Sequence, residues 1–305
     1  MLSRLQQGIT LGLLTAATLW ATWFSLSGSP HLAWLGALLI IFGYALFLAL
    51  EFVFLRIVNR ADPAPPASAK QLFRAWWGEV LTAPQVFCWR QPFRSRTVPD
   101  SLPEALGKGA RGVVLVHGFV CNRAVWNPWM TRLQARGIPY VAVNLEPVFG
   151  SIDEYADIIE QAVHRLEAAT GRAPVVVAHS MGGLAVRGWL HRFAADHRVH
   201  RVITIGSPHR GTWLGRFART RNGREMQLNS RWQQALVAQE PPQRHARFTC
   251  FYSHCDNIAF PASTATLPGA DNRHVPGVAH VHLLFQSEVY NEVLRWLESP
   301  NELTS

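Results

Sequence analysis

The chain has 305 residues, which is long enough for one large domain with a sizeable core and additional segments. Its formal net charge is +9, and a positive chain favours anionic surfaces. The arginines are scattered, without basic runs interleaved with aromatic residues. The composition therefore argues against a nucleic-acid partner and favours membrane lipid.

Four cysteines occur at irregular spacing, at Cys88, Cys121, Cys250 and Cys255. They form no C-x-x-C pair and no disulfide framework, so we expect free thiols, with a Cys250–Cys255 bridge as the alternative. No H-E-x-x-H or comparable ligand spacing occurs either. We therefore expect neither a metal ion nor another cofactor.

The N-terminal part of the chain has the composition of a membrane segment. Residues 5–50 contain no Asp, Glu, Lys or Arg. Two apolar stretches, residues 9–26 and 32–55, each approach the ~20 residues that span a bilayer, and a Ser/Gly/Pro turn separates them. We predict a transmembrane helical hairpin within residues 1–60. A cleaved signal peptide is the rival interpretation of the first stretch, although no small-x-small cleavage site precedes the second.

The charges that flank this hairpin predict its orientation. Arg4 precedes it, Arg56 and Arg60 follow it, and the connecting turn carries no Lys or Arg. Because basic flanks stay on the cytoplasmic side, we expect the hairpin in the inner (cell) membrane with both ends, and the domain that follows, in the cytoplasm.

Residues 61–110 connect the hairpin to the next domain. Residues 61–69 form a Pro/Ala linker. Residues 71–81 predict a short helix whose apolar face includes Trp76 or Trp77, and which lies either on the bilayer surface or against the following domain. Residues 85–100 are predicted as one or two strands at the domain edge.

Residues 111–305 alternate between strand and helix patterns. We predict strands at 113–116, 140–143, 175–179, 199–205 and 248–253, and helices at 125–135, 152–169 and 284–297. The second helix opens with a capping box of Ser151 and Glu154. This alternation predicts an α/β fold with a doubly wound, mostly parallel sheet, which binds ligands at the carboxyl ends of its strands.

The most informative stretch is the junction around Ser180. A β-branched run ends there and passes into a helical pattern, with the small residues Ala178 and Gly182 two positions on either side. This A-x-S-x-G arrangement is typical of a nucleophile elbow, in which a strained turn exposes the serine hydroxyl at a helix N-terminus. The alternative is an ordinary strand and turn with an N-capping serine.

A second segment, Val116-His117-Gly118-Phe119, follows the first core strand. In a site of this kind the loop after that strand and the residue after the nucleophile supply the oxyanion-hole N–H groups. We therefore expect the N–H groups of Phe119 and Met181 to bind an oxyanion, and His117 and Gly118 to border the substrate cleft.

An acid and a base complete the candidate site in the order Ser, Asp, His. Asp256 follows a strand and would orient the base. Three other aspartates are less favoured alternatives: Asp271, Asp196 and Asp153. His280, before the last helix, is the expected general base, whereas His282 is expected to be structural or to line the pocket. Four further histidines are expected to be solvated: His164, His191, His197 and His200.

With these motifs, residues 112–297 resemble the α/β-hydrolase superfamily, especially small bacterial lipases and esterases with an A-x-S-x-G elbow. The segment 206–212 resembles the G-[ST]-P-H-x-G segment of lipase-like hydrolases, which implies that Pro208 and His209 line the cleft. The resemblance makes Ser180 the nucleophile, His280 the base and Asp256 the acid. The hairpin and an insertion at 213–246 depart from those lipases.

These expectations predict a membrane-anchored serine hydrolase that cleaves a lipophilic carboxylic ester through an acyl-enzyme. An acyltransferase or thioesterase with the same triad is the main alternative, and an amidase or peptidase is chemically possible. A non-enzymatic membrane scaffold has no need of the complete set of residues. A transporter is disfavoured because the apolar segments carry no intramembrane charge pairs.

Overall fold

The computed structural model describes residues 1–102 and 110–299. Residues 103–109 of the predicted linker and residues 300–305 of the predicted catalytic domain lie outside this part. The chain begins with two long helices, α1 (Leu2–Leu26) and α2 (Pro30–Val58). By length and composition both could span a membrane, and most of their side chains are exposed rather than buried in the protein.

Both helices extend beyond the apolar stretches that the sequence indicates, because their ends dock on the rest of the protein. Near the start of α1, the Gln6 Nε2 donates to Gln91 Oε1 at 2.9 Å. Near the end of α2, Phe52 and Leu55 are buried in a cluster that includes Phe260. The hairpin is therefore anchored to the following domain at both ends.

The half of the hairpin nearest its turn is packed through small residues. Three alanines are buried there: Ala17, Ala33 and Ala37. Trp20 lies over Gly36, where an added Cβ would stand 1.9 Å from the Trp20 Nε1, and this indole N–H donates to the Leu32 carbonyl at 2.9 Å. Small residues allow close helix–helix approach in membranes, so the two helices lie close together in this half.

Helix α3 (Ala69–Pro84) begins with a capping box formed by Ser68 and Gln71. One of its faces packs inward through a set of buried residues: Leu72, Ala75, Glu79, Val80 and Thr82. The opposite face exposes Phe73, Trp77 and Leu81, spaced i, i+4, i+8. The helix thus packs on the protein on one side and presents an apolar stripe on the other.

The prediction of one or two edge strands within residues 85–100 is wrong, because no residue of that segment is in a strand. Gln85–Arg90 continue α3 as a π-helical turn, and α4 spans Gln91–Phe93. Further on, Ser101 forms an isolated antiparallel bridge with Tyr140. A short apolar run does not distinguish a buried strand from a buried helical segment, and here helix α3 extends into it.

The core of the domain is a six-stranded parallel sheet. Its strands are β1 (Val113–Val116), β2 (Tyr140–Ala142), β3 (Val175–His179), β4 (Arg201–Ile205), β5 (Phe248–Tyr252) and β6 (Asp271–His274), in the spatial order β2-β1-β3-β4-β5-β6. The predicted doubly wound parallel sheet is confirmed. Strand β6 was not predicted, because its Asp-Asn-Arg-His sequence lacks an apolar run.

Helices cover both faces of this sheet. They are α5 (Asn127–Gln134), α6 (Ala156–Thr170), α7 (Met181–Arg192), α8 (Arg221–Glu225), α9 (Arg231–Gln239), α10 (His280–Leu283) and α11 (Ser287–Glu298). One buried cluster includes residues of α6 and α7, and a second includes residues of α5 and α11. The insertion 213–246 contains α8 and α9, the latter including Trp232.

The predicted start of the helix at 152–169 needs one correction. A 3₁₀ turn, Ile152–Tyr155, precedes α6, and the Ser151 hydroxyl accepts from the Asp153 N–H. The same hydroxyl donates to Glu225 at 2.7 Å. Glu154 pairs with Arg221 instead of closing a capping box, because the side chains of Ser151 and Glu154 both bind residues of α8.

Candidate active site

Ser180 lies between β3 and α7 in the strained geometry of a nucleophile elbow. Its φ is 56° and its ψ is −130°, a region that non-glycine residues rarely adopt. A Cβ added at Gly182 would stand 2.6 Å from the His117 carbonyl oxygen, so the turn requires a glycine there. Ala178, at the position of the first small residue, is completely buried. The turn therefore directs Ser180 towards the carboxyl edge of the sheet.

Asp256 and His280 form a buried pair beside this serine. The His280 Nδ1 lies 2.9 Å from each Asp256 carboxylate oxygen. The Asp256 Oδ1 also accepts from the N–H groups of Ile258 and Ala259, at 2.9 and 2.7 Å. Ser180 and His280 line the same cavity. The structure thus brings the three predicted residues to one place.

The alternative acids have other partners. The Asp271 Oδ2 lies 2.9 Å from Arg273 Nε on β6. Asp196 pairs with Arg244, and Asp153 accepts from the Trp232 indole N–H. Each of these carboxylates has a structural partner instead of His280.

Two other histidines, His282 and His200, pack against neighbouring parts of the protein. His282 packs against α3, since a Cβ at Gly78 would stand 2.4 Å from its Nδ1. The prediction that His200 is solvated is wrong: it is buried, stacks edge-on against Trp296 and pairs with the Ser299 hydroxyl at 2.9 Å. Its partners lie near the end of the described chain, which a local reading of the sequence does not reveal.

The predicted oxyanion loop lies against the nucleophile. A Cβ added at Gly118 would stand 2.6 Å from the Ser180 Cβ, and Gly118 and Phe119 line the cavity together with the serine. Met181 is the first residue of α7, so its N–H has no partner within the helix. The assignment of the Phe119 and Met181 N–H groups to an oxyanion hole stays a prediction.

His117 does not border the cavity, contrary to the prediction. It is buried, its Nε2 accepts from the Leu145 N–H at 3.0 Å, and its Nδ1 lies 2.9 Å from the Gly118 carbonyl oxygen. Burial lowers its pKa to about 4, even though the bond to the Gly118 carbonyl raises it. His117 is therefore a neutral residue that ties two loops together.

Pro208 and His209 are also absent from the cavity lining and are buried inside the domain. The His209 Nε2 pairs with the Thr204 hydroxyl at 3.0 Å, and its carbonyl accepts from Arg187 at 2.8 Å. Arg187 is in turn paired with the buried Glu240. The His209 ring and carbonyl thus bind groups inside the domain, and neither Pro208 nor His209 lines the cavity, so the resemblance-based assignment of these residues to the cleft is wrong.

The cavity that contains Ser180 has a volume of about 700 Å³. Much of its wall comes from the hairpin: Thr10, Leu13 and Leu14 of α1, and residues between Ile40 and Glu51 of α2. Apolar pockets of about 300–1,000 Å³ with a few polar groups are typical of small-molecule sites. The arrangement combines the elbow serine and the Asp256–His280 pair with an apolar binding space.

Two buried carboxylates that the sequence analysis did not assign hold the loop of the base. The Glu79 oxygens accept from the N–H groups of Val281 and His282, each at 3.0 Å. Glu51 accepts from Asn257 Nδ2 at 2.6 Å, and the Asn257 Oδ1 accepts from the His280 N–H at 3.2 Å. In the sequence, Glu51 is distinguished as the acid that directly follows the uncharged segment 5–50. No comparable sequence feature distinguishes Glu79.

These groups set the ionisation of the base. Burial lowers the pKa of His280, but the charge and hydrogen bond of Asp256 and the charges of Glu79 and Glu51 outweigh it, so its pKa is raised above 6.5. Burial raises the pKa of Glu79 to about 7, although its two backbone hydrogen bonds lower it. The His179 ring centroid lies 4.6 Å from that of His280, and burial and the His280 charge hold its pKa well below 6.5.

Within residues 1–102 and 110–299, no group of three or more His, Cys, Asp or Glu side chains could hold a metal ion. All four cysteines are free, and Cys88 is the exposed one. The arrangement of Ser180 beside the Asp256–His280 pair is one that would suit nucleophilic attack by the serine, with His280 as the proton acceptor.

The close approach of Gly118 to the nucleophile leads to a first prediction. Gly118→Ala should slow covalent labelling of Ser180 by a fluorophosphonate about a hundredfold, because the new methyl group displaces the serine or the oxyanion loop. Gly188→Ala on α7 is the matched control, since its Cβ meets nothing closer than 3.8 Å. Equal labelling rates of the two variants in stopped assays would contradict the predicted effect of a methyl group at Gly118.

The carboxylates around His280 lead to a second prediction. Wild-type labelling should slow as the pH falls below the raised pKa of His280, because a protonated imidazole cannot accept the serine proton. Glu79→Gln removes a charge that is present above pH about 7, so the acid limb should move to lower pH. Loss of a hydrogen bond to a charged acceptor should also slow the maximal rate about tenfold or more.

The pH profile of the labelling rate is the measurement, and the exposed Glu288→Gln on α11 is the control. A purely structural role for Glu79 would lower the rate without moving the limb. An unshifted limb would therefore contradict the electrostatic role of Glu79.

Comparison with known proteins places this geometry in a family. The chain is similar in fold to the mature form of a lipase from Bacillus licheniformis, at 17% identity and a TM-score of 0.57 over 65% of this chain and 96% of that one. It is also similar to lipase B from Aspergillus fumigatus, at 19% identity and a TM-score of 0.53 over 64% of this chain and 55% of that one. At these identities the likeness concerns the fold alone.

A family model described as the alpha/beta hydrolase family matches residues 113–297, which is more than half of the chain. This range includes all six strands and the residues Ser180, Asp256 and His280. The chain therefore belongs to the alpha/beta hydrolase family.

Proposed function

We propose that this protein is a membrane-anchored serine hydrolase that cleaves a lipophilic carboxylic ester through an acyl-enzyme. The observation that carries the proposal is the cavity itself. Its polar end holds Ser180 and His280, whereas its walls are apolar side chains of two helices that are long enough to span a bilayer. A site of this kind suits a carbonyl group attached to a hydrocarbon chain.

The proposed reaction follows from the geometry of the three residues. The Ser180 Oγ attacks the ester carbonyl carbon while the free Nε2 of His280 takes its proton, and Asp256 stabilises the resulting imidazolium through Nδ1. The N–H groups of Phe119 and Met181 would bind the oxyanion. The carbon–oxygen bond then breaks as His280 returns the proton to the leaving alcohol, and water releases the acid by the same steps.

Membrane anchoring is supported by the dimensions of the exposed part of the hairpin. Residues 9–26 of α1 and 30–50 of α2 are about 27 and 31 Å long at ~1.5 Å per residue, close to the ~30 Å hydrocarbon core of a bilayer. The exposed aromatics Phe73, Trp77, Trp89 and Phe93 lie on the segments that follow. Aromatic residues of this kind are enriched at membrane interfaces.

The nucleophile provides the central test. Detergent-solubilised wild type should be labelled by a fluorophosphonate and should hydrolyse carboxylic esters. Ser180→Ala should lose labelling and reduce kcat by at least about a thousandfold. The matched control is Ser207→Ala, which removes a buried hydroxyl without a hydrogen-bond partner in the loop after β4. Retained labelling of folded Ser180→Ala would remove the basis of the proposal.

The proposed orientation places the catalytic domain in the cytoplasm. Arg4, Arg56 and Arg60 flank the hairpin and are exposed, and further exposed basic residues follow: Lys70, Arg74, Arg94 and Arg96. Basic residues close to membrane segments favour the cytoplasmic side. A C-terminal alkaline phosphatase fusion should therefore be inactive, and a fluorescent protein fusion active. The opposite pattern, or a purified chain that begins after residue 26, would contradict the retained hairpin in this orientation.

A further inference from the structure

The cavity changes in character along its length. At its base stand the polar groups Ser180, His280 and Glu51. Away from this base, the lining on the hairpin is almost entirely hydrocarbon, with Leu13 and Leu14 on α1 facing the wall that α2 provides. A ligand that fills it therefore needs one reactive polar end and a long apolar remainder.

The length of the apolar part matches one leaflet of a membrane. The α2 wall extends from Glu51 to Ile40, which is about 16 Å at ~1.5 Å per residue. This is about half of the ~30 Å hydrocarbon core. Because Glu51 lies at the domain end of α2, the cavity rises from the domain surface towards the middle of the bilayer.

The hairpin closes above this cavity. Beyond Ile40, Trp20 lies over Gly36, and the buried alanines Ala33 and Ala37 mark the close approach of the two helices. The bulky residues that line the cavity occupy the opposite half, nearer the domain. The contrast between small and bulky residues gives the cavity a closed end at a defined distance from Ser180.

The wall of the cavity is also part of the outer surface of the hairpin. Phe42 and Phe47 both line the cavity, yet their exposed fractions are 53% and 63%. In a membrane this surface faces hydrocarbon rather than water. A ligand could therefore pass between bilayer and cavity sideways, without crossing an aqueous phase.

We infer that the hairpin is the acyl-chain binding site of the enzyme as well as its anchor. One long acyl chain of a bilayer ester lies along α2, with its carbonyl carbon at Ser180 and its methyl end near the Trp20–Gly36 contact. This inference rests on the proposed ester hydrolysis and adds the substrate class: long-chain acyl esters taken from one leaflet. Each additional methylene group of the acyl chain that the cavity buries should raise kcat/KM about fourfold, because burial of one CH₂ group is worth ~0.8 kcal/mol.

The test blocks the cavity from both of its walls. Gly43 on α2 and Thr10 on α1 line it, and a Cβ at Gly43 meets nothing within 4 Å. Gly43→Phe and Thr10→Phe should each lower the ratio of kcat/KM for a dodecanoyl ester to that for a butanoyl ester about fiftyfold. This factor corresponds to about three methylene groups that the new side chain would keep out of the cavity. Gly12→Phe is the control, because Gly12 is equally open but does not line the cavity.

The assay uses the full chain in detergent micelles, with thermal unfolding temperatures to establish that each variant is folded. Partitioning of the longer ester into micelles is common to all variants and cancels in the comparison. An unchanged ratio in both blocking variants, with ester hydrolysis intact, would overturn the acyl-chain site alone. Absence of both labelling and hydrolysis in the wild type would overturn the proposed function as well.

Discussion

The candidate site depends on how the loop that carries His280 is held. Asp256 holds the imidazole through Nδ1, Asn257 holds the backbone N–H, and Glu79 holds the next two N–H groups. Glu51 reaches Asn257 from the end of α2. Hydrogen bonds to charged acceptors are worth about 1.5–3 kcal/mol, and a buried N–H group left without a partner costs about 1–3 kcal/mol. His280 is thus positioned jointly by the sheet, α3 and the hairpin.

This arrangement makes the hairpin a structural part of the site. A simple anchor needs only apolar length, but here α1 donates a hydrogen bond from Gln6 to Gln91, and α2 buries Phe52 and Leu55 against the domain. Glu51 is buried, and the hydrogen bond from the Asn257 amide offsets part of the cost of burying its carboxylate. Loss of the hairpin would therefore remove both a cavity wall and a support of the base.

Properties that depend on neighbours in the chain could be predicted from the sequence. The apolar stretches, the β-branched run before Ser180 and the alternation of strands and helices are local patterns. Properties that depend on tertiary partners could not be predicted, because residues with similar local patterns have different partners. His117 and His209 lie in motifs that suggested a cleft, yet the Leu145 N–H and the Thr204 hydroxyl hold them inside the domain. Likewise, β6 is a strand because β5 pairs with it, not because of its own residues.

The sequence by itself determined the parallel α/β architecture, the elbow at Ser180 and the presence of two segments apolar enough for a bilayer, because periodicity and turn sterics act over a few residues. Only the tertiary structure decided that these features meet in one cavity. Glu79 and Val281 are 202 residues apart in the chain, and Glu51 and Asn257 are 206 apart. Contacts at such separations depend on how helices pack on the sheet, and no local pattern records that packing.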